Sequence, residues 1–188
     1  ASWSEQVLEL ALHILDIAEN SIRAGATLVR ILIRESRSKD LFLLRITDNG
    51  KGMTREERQR ALDPFYSTKK VRRVGLGLPM LADAAQRTGG RMTLRSRPRT
   101  GTVVEAVFGM SHIDRQPLGD IASTLIALVA GNTGGDFIYR HEADGRVYLL
   151  DTRDLKKALE DVPLNHPEVT GFLRGHIAEG LRDIGAAP

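Results

Sequence analysis

The chain has 188 residues, 41% of them apolar, a net charge of +3 and no cysteine. That length and apolar share suffice for one large domain or two small ones. The lack of cysteine excludes disulfide frameworks, thiolate zinc sites and cysteine nucleophiles, and fits a cytoplasmic setting. The apolar run 121–130 is far shorter than the roughly twenty residues that span a bilayer, and no signal peptide is read at the start. Basic and acidic side chains are interspersed, so neither a membrane nor nucleic acid is the expected partner.

Residues 5–24 read as an amphipathic helix whose apolar face is Val7, Leu8, Ala11, Leu12, Ile14, Leu15 and Ala18. Glu9, His13, Asp16, Asn20 and Arg23 recur at three- and four-residue intervals, which puts all five on one polar stripe. Gly25 ends the helix. Val29, Ile31 and Ile33 alternate as a strand, and a second strand over 41–47 follows the polar turn 36–40, predicting a hairpin. Thr54 and Glu57 form a capping-box pattern that predicts a short helix over 55–62, closed by Pro64.

A basic loop with Lys69, Lys70, Arg72 and Arg73 leads to Gly75-Leu76-Gly77-Leu78-Pro79 and a helix to about residue 87. Strands over 91–97 and 102–108 flank a turn at 98–101, completing a helix-and-sheet unit. A boundary is expected between residues 109 and 117. Beyond it the pattern reads helix (118–130), strand (136–141), turn at Asp144-Gly145, strand (146–150), and helices starting near Asp154 and Pro167. No motif in that stretch carries a chemical reading.

Four short signals occur in a fixed order in the first part of the chain. They are Asp16-Ile17-Ala18-Glu19-Asn20-Ser21, Asp48-Asn49-Gly50-Lys51-Gly52-Met53, Pro64-Phe65-Tyr66-Ser67-Thr68-Lys69 and Gly75-Leu76-Gly77-Leu78. There is neither a P-loop nor a dinucleotide fingerprint. In this order the signals resemble the nucleotide site of the GHKL ATPases, the superfamily that joins gyrase B, the ninety-kilodalton heat-shock chaperones, sensor histidine kinases and MutL. Ser21 and Ala24-Gly25-Ala26-Thr27 look like MutL, whereas the phenylalanine segment and the Gly-Leu-Gly-Leu run look like histidine kinases.

The resemblance covers roughly residues 5–110. It implies an α+β fold, a two-layer α/β sandwich of the histidine-kinase-like ATPase (Bergerat) type over residues 1–110, with 111–188 as a small α+β domain of unknown role. It implies ATP and Mg²⁺ as cofactors. Asn20 corresponds to the family's magnesium ligand, and Asp16, four residues earlier, stands where hydrolytic members carry a glutamate that prepares the attacking water. Aspartate is a methylene shorter, and a displacement of about 1 Å costs on the order of a hundredfold in rate, so slow hydrolysis is expected. Glu19 is the competing base, read as a solvated carboxylate; His13 is read as structural rather than as a phospho-acceptor.

Asp48 corresponds to the reader of the adenine amino group, supported by Thr102, with Gly50 and Gly52 admitting backbone close to the base and Met53 packing on it. Taken alone, Asn49-Gly50 would read as a hairpin turn. Phe65 resembles the phenylalanine box, and the stretch onward to Gly77 resembles a lid over the nucleotide. Gly75, Leu76, Gly77 and Leu78 would present amides at a helix N-terminus to phosphates, and Lys69 would reach the triphosphate. The expected activity is slow ATP hydrolysis or transfer of the γ-phosphoryl group to a separate protein supplied in trans. The alternative is a non-catalytic, ATP-dependent conformational switch or protein-interaction module; a homodimer is a further option, and DNA binding is a distant one.

Overall fold

The computed structural model describes residues 8–65 and 77–187. Alternation of apolar and polar side chains builds its sheet. In β1 (Leu28–Ser36) Val29, Ile31 and Ile33 are buried while Arg30 and Arg34 are exposed; β2 (Leu41–Asp48) sets Ile46, Leu44 and Phe42 against that buried side in an antiparallel register. β3 (Arg91–Arg97) and β4 (Gly101–Gly109) pair antiparallel, and β4 joins β2 with Thr102 opposite Asp48. Phe42 and Phe108 meet edge to face across that seam.

The chain then passes through α4 (Ile121–Gly131) and returns as β5 (Asp136–Ala143), parallel to β1, before β6 (Arg146–Asp151) turns back antiparallel. The strand order is β3-β4-β2-β1-β5-β6. α1 (Leu10–Arg23) packs on β1 and β2, with α3 (Gly77–Arg87) on one flank and α4 on the other, and α6 (Pro167–Ile184) lies against α4, β5 and β6. Two shorter helices, α2 (Arg55–Leu62) and α5 (Thr152–Leu159), complete the α+β arrangement. The expected boundary falls just past β4. Residues beyond it extend the same sheet, and one connected apolar core runs from Leu10 to Ile184.

Two helices begin later than periodicity suggests. Leu8 and Glu9 are not helical; α1 starts at Leu10, where the amides of Leu10 and Ala11 donate to the carbonyls of Pro117 and Leu118 (2.9 Å each). Those tertiary bonds satisfy donors that a free helix end leaves open. α4 starts at Ile121 rather than 118, because the Asp120 carboxylate accepts from Ser123 N and caps it there. The capping box at Thr54 and Glu57 forms as expected, with both reciprocal bonds present.

The parallel seam between β1 and β5 carries a buried polar chain. Burial, followed by the nearby Glu35 charge, raises the Tyr139 phenol well above its usual range, so it keeps its proton and donates to His141 Nδ1 (2.7 Å). His141 Nε2 donates to Glu35 Oε1 at 2.6 Å, and Ala187 N donates to both Glu35 oxygens. Glu35 is 2% exposed and His141 is fully buried. This chain ties the first strand to the last residues. His141→Ala would strand a buried carboxylate, and a loss of about 3–5 kcal/mol is expected in urea unfolding; a loss below about 1 kcal/mol would show that the chain is not a stabilising link.

Candidate nucleotide site

The polar stripe of α1 is largely withdrawn from open solvent, with Arg23 at its end exposed. His13 is buried, with Nε2 3.1 Å from Gln116 Oε1. Its imidazole is pushed below the usual value by burial, against opposing effects of Gln116, the Asp16 charge and the Gly77 backbone. One turn further on, Asp16 and Asn20 line a cavity of about 550 Å³, the size of a small-molecule site. Asp16 is half-buried and its carboxyl is raised, chiefly by desolvation; Arg23 pulls it back down and Glu19 pushes it up. Glu19 itself is exposed and does not line the cavity.

α3 begins against Asp16. A Cβ added at Gly77 would meet Asp16 Oδ2, so the helix start lies against that carboxylate. Leu78 follows and lines the cavity. Lys69, Gly75 and Leu76 lie outside the described residues, as do Tyr66, Ser67, Thr68, Lys70, Arg72 and Arg73. Phe65 is described and stands apart: it is 92% exposed and does not line the cavity. Its amide donates to Asp63 Oδ1 (2.8 Å), a local turn after α2 that carries the ring outward.

Asp48 closes β2, lines the same cavity and is held on both carboxylate oxygens. Ser21 Oγ donates to Oδ2 at 2.6 Å and Gly50 N donates to Oδ1 at 2.8 Å. Gly50 is buried behind the carboxylate rather than lining the cavity. Asn49-Gly50 does not close a hairpin, because Asn49 is spent on β1: its Oδ1 accepts from Thr27 N and Leu28 N, and its Nδ2 donates to Thr27 Oγ1. Lys51 N donates to Ala24 O at the end of α1, and Arg99 N donates to Lys51 O. Gly52 has φ +68, and a Cβ there would collide with Arg97 O, so this loop admits no side chain at that point.

Met53 lines the cavity and its amide donates to Ser96 Oγ (2.8 Å). Ser96 in turn donates to Gly101 O (2.9 Å) and lies 2.8 Å from Thr102 Oγ1. With the one Ser96 proton directed at Gly101 O, Thr102 donates to Ser96 and keeps its own lone pairs for the cavity it lines.

Five contributors are given no site role in the sequence reading. Ser21 orients Asp48, and only its place beside Asn20 in the first signal could have pointed to it. Ser96 joins Met53 to Thr102, and nothing in the strand pattern marks it. Arg23 belongs to the polar stripe, lines the cavity and donates through Nη2 to Asn20 Oδ1. Arg60 and Glu57 of α2 form part of the wall. Among the described residues no group of three or more His, Cys, Asp or Glu side chains is placed to hold a metal ion.

The comparisons with known proteins bear on this geometry. Residues 6–112 match the family described as histidine kinase-, DNA gyrase B-, and HSP90-like ATPase. The chain is similar to the alginate biosynthesis sensor protein KinB of Pseudomonas aeruginosa, with 30% identity over 95 residues, 50% of this chain and 16% of that protein. It is 28% identical over 119 residues to the non-motile and phage-resistance protein of Caulobacter vibrioides, covering 58% of this chain and 14% of that one. The cell-division control histidine kinase PdhS of Brucella ovis is 29% identical over 126 residues, 58% and 12% of the two chains. The chain thus spans under a fifth of the length of each.

A solved structure described as the N-terminal domain of a DNA repair protein superposes with a TM-score of 0.53 at 15% identity, over 78% of this chain and 53% of that one, which is a likeness of fold. No described helix is long and apolar enough to cross a membrane. The family match spans more than half of the chain and contains Asp16, Asn20, Asp48 and Thr102, and the chain belongs to the histidine kinase-, DNA gyrase B- and HSP90-like ATPases, an ATP-binding family.

Proposed function

We propose that the cavity between α1, β2, β4 and α2 binds Mg-ATP, and that the chain hydrolyses it slowly or passes the γ-phosphoryl group to a separate protein. The observation that carries this reading is the doubly held Asp48 carboxylate lining one cavity together with an aspartate and an asparagine one helical turn apart. An Asp48 fixed by Ser21 and Gly50 is a rigid acceptor for an exocyclic amine, and the free lone pairs of Thr102 add a second acceptor beside it. Guanine presents a carbonyl there instead, which would leave both acceptors unpaired.

The polar end of the cavity suits a magnesium-bound triphosphate. Asn20 offers one amide oxygen, and Mg²⁺ keeps several waters and takes its remaining ligands from phosphates. When bound, the ion would neutralise phosphate charge. Arg23 now donates to that amide oxygen and would turn toward phosphate when Asn20 is engaged. Asp16 would orient or deprotonate a nucleophile at the end of the site marked by Gly77; desolvation raises its basicity, while its short side chain limits its reach. The names of the kinase relatives support transfer to a protein, since phosphoryl transfer needs positioning and charge neutralisation more than covalent chemistry.

A second reading, an ATP-dependent switch with negligible turnover, is favoured by the contact between Asp16 and Gly77. It lets ligand at Asp16 bear directly on the start of α3.

Asp48→Asn is expected to weaken ATP binding by about 1–3 kcal/mol, measured by calorimetric titration, while the wild type prefers ATP to GTP. Unchanged affinity in the variant, or equal affinity for the two nucleotides, would remove the adenine assignment. Asn20→Ala should erase the gain in ATP affinity on adding Mg²⁺; a full metal response in the variant would make Asn20 structural. Asp16→Glu should raise steady-state phosphate release at saturating Mg-ATP with affinity nearly constant, and Asp16→Asn should lower it. One indistinguishable background rate in all three proteins would favour the switch.

A further inference from the structure

The two edges of the sheet are unlike. β3 ends it with exposed Arg91, Arg95 and Arg97, charges that discourage pairing with another chain. β6 ends it with Arg146-Val147-Tyr148-Leu149-Leu150-Asp151, and its exposed members include Val147 (44%) and Leu149 (52%). Among the described residues, no backbone hydrogen bond outside the sheet involves residues 146–151.

The hairpin that makes β6 decides which groups are free. Asp144 and Gly145 form a two-residue turn with φ of 45° and 88°, the I′ pattern, flanked by the pair Ala143↔Arg146. That flanking pair exchanges hydrogen bonds, and alternation then directs the amides and carbonyls of Tyr148 and Leu150 toward β5. The N–H and C=O of Val147, Leu149 and Asp151 therefore point outward. Two of these three residues, Val147 and Leu149, carry exposed apolar side chains, and period two puts both side chains on the sheet face away from α6.

On the helix-bearing face the same edge is also apolar. Phe172 is 65% exposed on α6 and packs against His176, whose Nδ1 lies 2.8 Å from Tyr148 Oη. Exposed apolar side chains thus lie on β6 itself on one face and on α6 beside the Tyr148 contact on the other.

We infer that β6 is a self-pairing edge: two copies of this chain associate by antiparallel β6–β6 addition about a twofold axis at Tyr148. A twofold axis normal to the sheet keeps the faces in register, so opposed residues share parity, and centring on Tyr148 sets Val147 opposite Leu149 of the second copy, twice. The outward N–H and C=O groups of Val147 and Leu149 in both copies are then satisfied, and each of these exposed apolar side chains gains an apolar partner. Centring on Leu149 instead would set Val147 against Asp151. The pattern is complementary to itself, which selects a second copy over an unrelated strand. This inference is independent of the nucleotide reading.

The experiment exploits the absence of cysteine in the chain. Sedimentation of the wild type over micromolar to millimolar concentrations should show the mass rising from one chain to two, and the double variant Val147→Lys, Leu149→Lys should stay at one chain with an unchanged thermal melt. Both positions are exposed, so folding is not at stake. Val147→Cys and Leu149→Cys proteins, oxidised with copper phenanthroline, should form a disulfide-linked dimer when mixed and lose that product when either is oxidised alone. A wild type of single-chain mass throughout, a lysine variant that dimerises, or cross-linking as strong in either variant alone as in the mixture would each overturn the proposal.

Discussion

Helix α1 is held at both ends by backbone hydrogen bonds to distant parts of the chain. Its first amides donate to Pro117 and Leu118, and beyond its last turn the Ala24 carbonyl accepts from Lys51. Between those anchors Leu10, Ile14, Ile17 and Ala18 are buried against the sheet. A helix pinned at both ends and packed on one face has no freedom to roll. Asp16, Asn20 and Arg23 therefore stay on the cavity side, and Ser21 stays within reach of Asp48. Catalytic and binding groups need this kind of fixed support, because small displacements cost large factors in rate.

The anchors also explain why the part of the chain beyond β4 matters to the site. Pro117 and Leu118 close the start of α1, Gln116 lies against His13, and α4 packs along α1. The same part adds β5 beside β1 and locks it with the buried Glu35–His141–Tyr139 chain. A change in how residues 111–187 pack would reach Asp16 through one buried imidazole and one helix. Coupling of that kind passes through contiguous packed elements.

The end of the cavity at Asp48 is rigid for a different reason. The loop after β2 is bonded on three sides, to α1 through Ala24, to β1 through Thr27 and Leu28, and to the β3–β4 turn through Arg99. Each side uses a backbone or amide group that needs a partner when water is excluded. A preorganised acceptor set loses little entropy when a ligand arrives, so its contacts count toward selectivity.

Much of this was legible in the amino-acid sequence. Periodicity marks every strand and helix, because the two-residue alternation of Val29, Ile31 and Ile33 and the helical spacing of Ala11, Ile14 and Ala18 are local consequences of burial. The capping box, the Asp144-Gly145 turn and the order of the four polar signals are likewise local. Tertiary structure alone decided the rest. The start of α1 is set by carbonyls more than a hundred residues away, the burial of His13 by Gln116, and the role of Ser96 by a register that brings it to Thr102 and Met53. The pairing of β5 with β1 is a parallel contact between strands far apart in the chain, and no local pattern encodes which strand a buried edge will choose. Residue types and spacing state which chemistry is available; only the packed chain states which of those groups meet.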